Sequence, residues 1–184
     1  MESRTLRLAL PFYATFVLAA VVISALTGNP LKLGAHSVVG ALAVSLLTAT
    51  ATVLCGILGY RALPVVREIS EELAPVLLRG STIGGLISVS VLSGVGEELL
   101  FRGALQPLVG VVVSSLLFGL LHVGPDRRYL LWTVWAVAVG FLFAGLYEWT
   151  GGLLAPVVAH VAHNGVTLIL WRRRWMRGKA GDAA

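Results

Sequence analysis

Charged residues and cysteine are both scarce in this chain. Only 12% of its 184 residues are Asp, Glu, Lys or Arg, whereas ordinary soluble domains carry about 25%. Cys55 is the single cysteine, which excludes an intramolecular disulfide and a multi-cysteine metal cluster. In addition, 57% of the residues are hydrophobic and the mean hydropathy is +0.88. The low charge and high apolar content together exclude a water-soluble domain and indicate a membrane protein.

The sequence contains several long apolar segments. Each is about 20 residues long, which matches the roughly 30 Å hydrocarbon core of a bilayer. The first follows Arg4 and Arg7 as in a signal peptide, but it lacks a small-residue cleavage site and is expected to remain as a helix. The sequence therefore predicts an all-α, polytopic transmembrane bundle with about six spanning helices, in segments 8–27, 38–58, 85–109, 111–122, 129–147 and 153–171.

The segment 61–79 differs from these because it mixes charges with Leu, Val and Ile at helical spacing. This pattern predicts one interfacial amphipathic helix, and the alternative is a solvated loop with two prolines. We expect one integrated membrane domain. Residues 1–80 form a two-helix part plus this connector, and residues 81–184 form a catalytic four-helix core with a basic C-terminal tail.

The basic residues lie at the ends of the apolar segments, so the net charge of +5 predicts contacts with lipid headgroups and no nucleic-acid partner. With six crossings, all four basic clusters fall on one side of the membrane. Both termini are therefore predicted to be cytoplasmic, with the protein integral to the cell inner membrane. The clusters are Arg4 with Arg7, then Arg61, Arg67 and Arg79, then Arg127 and Arg128, then Arg172, Arg173, Arg174, Arg177 and Lys179.

Charged residues and histidines inside the apolar segments, together with Asn164, are confined to the C-terminal half. An ionisable group at the centre of a membrane helix costs roughly 2.5–3.5 kcal/mol, so each needs a partner or a function. Glu98 and His122 each lie 12 positions from Gly110, so antiparallel helices turning at Gly110 would bring them to similar depth. Spacings of four favour contacts within a helix. The residues are Glu97, Glu98, Arg102, His122, His160, His163 and Asn164.

Three motifs contain these residues in a fixed order. They are EExxxR at Glu97, Glu98 and Arg102, FxxxH at Phe118 and His122, and HxxxN at His160 and Asn164. Together they resemble the CPBP family of intramembrane proteases, which includes the type II CAAX prenyl endopeptidases. The resemblance covers the C-terminal half of the chain.

The resemblance implies an intramembrane endopeptidase that hydrolyses a peptide bond of a membrane-associated peptide or protein. In that family pattern Glu97 activates water with help from His122, and His160 with Asn164 stabilises the oxyanion. Glu98 and Arg102 then support the geometry of the site.

The motifs are compatible with a reaction with or without a bound metal. Glu97, His122 and His160 are also a possible zinc ligand set, although the chain has no HExxH sequence. The three side chains cannot all bind zinc while Glu97 and His122 activate a free water. We therefore favour a reaction without a cofactor, with zinc as the alternative.

Two other classes of function compete with a protease. A catalytically silent member of the same family could act as a membrane scaffold or a bacteriocin-immunity-type protein, but no motif residue is lost here. A proton-coupled transporter would also use intramembrane Glu and His residues. Transport is disfavoured because the sequence shows no internal repeat of the kind that builds many carriers.

Overall fold

The computed structural model describes residues 4–181 of the chain, which form helices joined by short connections. A π-helical segment, Leu99–Leu105, continues α4 into α5, and a short 3₁₀ turn, Arg127–Tyr129, precedes α6. The helices are α1 Arg4–Thr27, α2 Val38–Ala62, α3 Pro64–Leu78, α4 Ile83–Glu98, α5 Gln106–Leu120, α6 Leu130–Thr150 and α7 Leu154–Gly181.

The all-α, polytopic membrane class is confirmed, but five helical stretches rather than about six have the length and apolarity to cross a bilayer. The difference lies in Ile83–Leu120, which counts as one stretch of 38 residues. A straight helix of that length would extend about 57 Å, nearly twice the thickness of the hydrocarbon core. The other four are Thr5–Thr27, Val38–Ala62, Arg127–Thr150 and Leu154–Gly178.

The long stretch reverses direction at Gly110, where the sequence predicted a turn. Gly110 has φ 78° and ψ 169°, a conformation that suits glycine because it has no Cβ. Beyond it the Ser114 hydroxyl donates to the Phe101 carbonyl at 2.8 Å, and the Phe118 and Phe101 rings meet at 5.4 Å. The arm after Gly110 has only about 15 Å of helix. The chain therefore makes six passes, and the pass that follows Gly110 is a short helix continued by irregular chain.

The basic ends of the elements meet at one end of the bundle. The start of α1, the helix α3, the loop before α6 and the last turns of α7 are joined there by side-chain contacts. This grouping agrees with six passes between the two ends. The contacts are Thr5 Oγ1 to the Leu77 carbonyl at 3.1 Å, Arg128 to Glu72 at 2.9 Å, Arg172 Nε to the Ser81 carbonyl at 3.0 Å and Arg174 Nε to the Tyr60 hydroxyl at 2.7 Å.

At the opposite end, the loop between α1 and α2 caps the N-terminus of α7. The amide of Leu153 donates to the Lys32 carbonyl at 2.8 Å, and the amide of Leu154 donates to the Gly34 carbonyl at 3.3 Å. A Cβ on Gly152 would collide with both carbonyl oxygens, so glycine is required for this approach. The loop thereby satisfies N–H groups that a helix start leaves without intrahelical partners.

Residues 64–78 are helical, so the predicted helix is confirmed and the solvated-loop alternative is wrong. Pro64 occupies the first turn, where its missing N–H costs no hydrogen bond. Ile69, Ala74 and Leu78 are buried, and the side of α3 that carries Ala74 and Leu78 packs towards Trp171 and other residues of α7. The basic tail is likewise helical, because α7 continues to Gly181.

Small residues let α2 and α4 approach α7. A Cβ on Gly94 would lie 2.6 Å from Val161 Cγ2 and 3.0 Å from its backbone nitrogen, so α4 and α7 touch through their backbones here. On α2 the buried residues form a helical stripe of small side chains, and large apolar side chains such as Leu47 point outward. The stripe consists of Ala41, Ser45, Thr48, Ala49 and Thr52.

Candidate active site

Glu98 and Arg102 form a fully buried ion pair at the junction of α4 with the π-helical segment. Both have no exposed surface. Arg102 Nη1 donates to Glu98 Oε1 at 3.2 Å, and Arg102 Nε lies 3.2 Å from Glu98 Oε2. The contact predicted from the spacing of four is therefore present. Because both charges are removed from solvent, each depends on the other for neutralisation.

The remaining contacts of Arg102 fix it to the neighbouring helices. Its Nη2 donates to the Gly140 carbonyl of α6 at 2.9 Å. The guanidinium carbon lies 4.3 Å from the centre of the Phe118 ring, a distance that allows a cation–π interaction. Arg102 thus joins three elements of the core.

Glu98 also contacts His160 across the α4–α7 interface. His160 Nδ1 lies 2.7 Å from Glu98 Oε1, and His160 is 5% exposed. A carboxylate can only accept, so the imidazole carries its proton on Nδ1 in this contact. Glu98 consequently orients His160 as well as neutralising Arg102, a role that the spacing within α4 did not reveal.

His122 lies just beyond the end of α5 and has a different partner. Its Nδ1 is 2.9 Å from the Phe118 carbonyl, and the Thr133 hydroxyl donates to the His122 carbonyl at 3.0 Å. The Phe118 ring lies 5.1 Å from the His122 ring and 6.0 Å from the His160 ring. The two histidines therefore flank a single aromatic side chain.

Glu97 is 6% exposed, and the hydrogen bonds of the Glu98–Arg102 pair are made with other residues. Its Oε2 is buried and accepts no hydrogen bond from the described part of the chain. The Tyr13 hydroxyl of α1 is within hydrogen-bonding reach of the Glu97 carboxylate. Among the described residues no direct hydrogen bond joins Glu97 to His122 or His160.

Asn164 lies one turn after His160 on α7. Its amide Nδ2 donates to the Ser93 hydroxyl of α4 at 2.9 Å, and Ser93 donates onward to the Ser90 carbonyl at 3.2 Å. His163 points elsewhere, with its Nδ1 2.9 Å from Thr52 Oγ1 of α2. His163 therefore contacts α2 and not the other motif residues.

The loop that follows His122 is tied to α3 by charged side chains. Arg128 contacts Asp126 at 2.7 Å and Glu72 at 2.9 Å, and the Tyr129 hydroxyl donates to Glu72 at 3.3 Å. The hydrogen bond from the Arg128 guanidinium holds the pKa of the Asp126 carboxyl below its usual range. These exposed contacts position the loop beside the site.

The donor set does not form a metal centre as it stands. Within residues 4–181 no three His, Cys, Asp or Glu side chains are grouped so that they could hold a metal ion. The Nδ1 atoms of both histidines are engaged, His160 with Glu98 and His122 with a backbone carbonyl, which leaves the Nε2 atom of each to face a ligand. In this arrangement Glu97, His122 and His160 are not grouped closely enough to share a metal ion.

Sequence reasoning missed Tyr13, Ser93 and Thr133, which contact site residues from outside the motifs. Hydroxyl-bearing residues are common in membrane helices and carry no spacing signal of their own. Only Ser93 had a local indication, because it lies one helical turn before Glu97.

Comparisons with known proteins agree with the motif order. Residues 79–166 match the sequence model of the type II CAAX prenyl endopeptidase Rce1-like family. This segment contains all three motifs. No solved structure matches the chain.

Curated relatives come from Bacillus subtilis (strain 168). The "Uncharacterized protein YpbD" is 39% identical over 46% of this chain, and the "Sporulation-killing factor biosynthesis protein SkfC" is 30% identical over 57%. The "Putative membrane peptidase YdiL" is 31% identical over 64%. The matches span 44%, 24% and 49% of these relatives, so this chain covers less than half the length of each.

The buried cluster, the three motifs and these matches agree with one another. They support an integral membrane protein with a membrane protease type of function. The resemblance to the CPBP family is thereby confirmed: residues 79–166 are similar to the Rce1-like, type II CAAX prenyl endopeptidases, and the relatives include a protein named as a membrane peptidase.

Proposed function

We propose that the chain hydrolyses peptide bonds of membrane-associated substrates by activating water, without a bound metal. One observation carries the proposal. His122 and His160 flank the same Phe118 ring but hold different Nδ1 partners, a carbonyl for His122 and a carboxylate for His160. This difference suits one histidine to accept a proton and the other to donate one.

His122 is suited to accept. A backbone carbonyl can only accept a hydrogen bond, so neutral His122 is protonated on Nδ1 and has its lone pair on Nε2. That lone pair can accept from a water molecule. The Thr133 contact to the His122 backbone holds the end of α5 in place while it does so.

Glu97 is the proposed general base. Its Oε2 is buried and accepts no hydrogen bond from the described residues, and a buried acceptor of this kind calls for a functional explanation. Glu97 would take one proton of the attacking water with support from His122. The hydroxide would add to the substrate carbonyl carbon, and Glu97 would then pass the proton to the leaving amine.

His160 and Asn164 are the proposed oxyanion donors. His160 is held through Nδ1 by the Glu98 carboxylate, and it can donate to the oxyanion from Nε2 when that atom also carries a proton. The carboxamide of Asn164 has a second N–H besides the one that meets Ser93. Donors aimed at a developing oxyanion act strongly where water is scarce.

The substrate would approach from the end of the bundle where the basic clusters gather. The loop after His122 lies at that end, tied to α3, and the arm of α5 beyond Gly110 is short. Because basic residues favour the cytoplasmic side, we place this end and both termini in the cytoplasm of a cell whose inner membrane holds the protein.

The test compares peptide termini of membrane and secreted proteins from cells with the wild type and with Glu97→Gln. Glutamine preserves the shape of the side chain but cannot accept a proton from water, so termini produced by the wild type should vanish. Glu71→Gln, an exposed change on α3, is the matched control. If Glu97→Gln cells kept every terminus, a silent scaffold would be the better interpretation.

Asn164→Ala should leave measurable activity. Loss of one oxyanion donor typically lowers the rate by about 10² to 10³ and leaves the base intact.

Metal dependence is tested on purified wild-type protein after exhaustive chelation, with metal content measured in parallel. Full activity without metal is expected, whereas activity that disappears and returns with zinc would recast Glu97, His122 and His160 as ligands.

A further inference from the structure

We propose that Tyr13, on the first helix and outside residues 79–166, is a positioning residue that holds Glu97 for catalysis. The inference rests on the proposed function of Glu97. It assigns a role to α1, which carries none of the three motifs.

Backbone packing brings Tyr13 to Glu97. A Cβ on Gly96, the residue before Glu97, would lie 3.3 Å from both the Cβ and the carbonyl oxygen of Tyr13. Glycine at this point therefore lets α1 and α4 meet closely. The Tyr13 ring is half-buried and is held from the side by Phe16, at 5.8 Å between ring centres.

The polar partners of the Tyr13 hydroxyl all lie on α4. The hydroxyl is within hydrogen-bonding reach of the Glu97 carboxylate and of Ser93. On its other side Tyr13 lines a groove of about 510 Å³ between α1 and α4, and every other lining residue is apolar. The groove offers the hydroxyl no polar partner, so Glu97 and Ser93 are the groups to which it can hydrogen-bond.

This contact links the two halves of the proposed chemistry. Ser93 accepts from the Asn164 amide at 2.9 Å and is also within reach of Tyr13. Tyr13 thus lies beside the proposed base and is one hydroxyl, that of Ser93, away from the proposed oxyanion donor Asn164. A hydrogen bond to an ionised carboxylate stabilises that form, which is the form that can accept a proton from water.

Dicyclohexylcarbodiimide tests the contact without a substrate, because this apolar reagent reacts with protonated carboxyl groups and leaves an N-acylurea. The labelling rate of Glu97 is followed by mass spectrometry of purified protein in detergent, with fragment ions separating Glu97 from Glu98. Tyr13→Phe should label about tenfold faster than the wild type, since it removes one charge-assisted hydrogen bond.

Two variants separate the hydroxyl from its surroundings. Phe16→Leu disturbs the same ring cluster but keeps the Tyr13 hydroxyl. Tyr60→Phe removes a hydroxyl whose contacts are Glu71 and Arg174, away from Glu97. Both should label Glu97 at the wild-type rate. An unchanged rate in Tyr13→Phe, or an equal increase in Phe16→Leu, would overturn the assignment.

Kinetic measurements distinguish a failure of the positioning role of Tyr13 from a failure of the proposed function of Glu97. With a quenched peptide spanning a Glu97-dependent cleavage site, Tyr13→Phe should lower kcat about tenfold and leave KM and the thermal midpoint unchanged. Wild-type kcat in Tyr13→Phe, alongside an inactive Glu97→Gln, defeats the positioning role alone. A Glu97→Gln variant with full activity defeats the proposed function, and the positioning role with it.

Discussion

Arg102 shows how one residue can hold a membrane core together. It pairs with Glu98, reaches the Gly140 carbonyl and lies over the Phe118 ring, with no exposed surface. Such a buried pair is balanced only while both members are present, because a lone charge in a poorly solvated interior is costly. Arg102 should therefore matter first for folding and only indirectly for chemistry.

Arg102→Ala should sharply reduce the abundance of folded protein. Removing one partner of a buried pair typically costs about 3–5 kcal/mol. Arg102→Lys should restore only part of the loss, because an ammonium lacks the forked geometry of guanidinium. The measurement is the yield and thermal midpoint of protein in detergent, with Arg67→Ala as an exposed control. Normal yield and full activity in Arg102→Ala would show that the Glu98–Arg102 pair is not needed for folding.

What the sequence could predict at this scale depended on distance along the chain. The Glu98–Arg102 contact follows from a spacing of four within one helix. The Glu98–His160 contact joins residues 62 positions apart, and Tyr13 lies further still from Glu97. Contacts between helices depend on rotation and depth, which hydropathy does not specify. The motif order revealed which residues belong together but not which atoms meet.

At the scale of helices, hydropathy located the membrane segments well, because length and apolarity are what a bilayer selects. The turn at Gly110 was also readable, since glycine permits a positive φ. The π-helical segment could not be predicted from the sequence. There the Gln106 amide donates a hydrogen bond to the Phe101 carbonyl five residues back. Such segments are rare, frequently lie at functional sites and lack a simple sequence signature.

Gly94→Ala tests the closest part of the α4–α7 contact. The added methyl would meet Val161 side-chain and backbone atoms, so the helices must separate, at a typical cost of about 1–3 kcal/mol for overpacking. Separation would weaken both the Asn164–Ser93 and the His160–Glu98 hydrogen bonds. We expect a lower thermal midpoint together with lower kcat.

Gly145→Ala is the matched control for this change. A Cβ on Gly145 would meet nothing within 4 Å, and alanine is favoured over glycine in a helix by about 1 kcal/mol. This variant should be neutral or slightly more stable, with unchanged activity. A Gly94→Ala protein that behaved like Gly145→Ala would contradict the backbone contact at Val161.

At the scale of the whole molecule, the contacts at the two bundle ends define a topology that labelling can test. In a Cys55→Ser background, cysteine is introduced at Lys32, Arg127 or Arg177. On intact cells a membrane-impermeant maleimide should label Lys32→Cys at once, because Lys32 lies at the end opposite the basic clusters. Arg127→Cys and Arg177→Cys should react only after the membrane is permeabilised.

The reverse labelling pattern would invert the proposed orientation. Opposite accessibility of Arg127→Cys and Arg177→Cys would instead contradict the even number of passes, since both positions belong to the end where Arg128 meets Glu72 and Arg174 meets Tyr60. The three outcomes are distinct.

The cap on α7 has a consequence for biogenesis. The carbonyls that receive the amides of Leu153 and Leu154 belong to Lys32 and Gly34, and Leu153 is synthesised 121 residues after Lys32. At about 5–20 residues per second the ribosome needs roughly 6–24 s for that interval. The first hairpin must therefore be inserted and waiting when the last helix leaves the translocon. The half of the chain without the three motifs then provides the surface on which the helix that carries His160 and Asn164 docks.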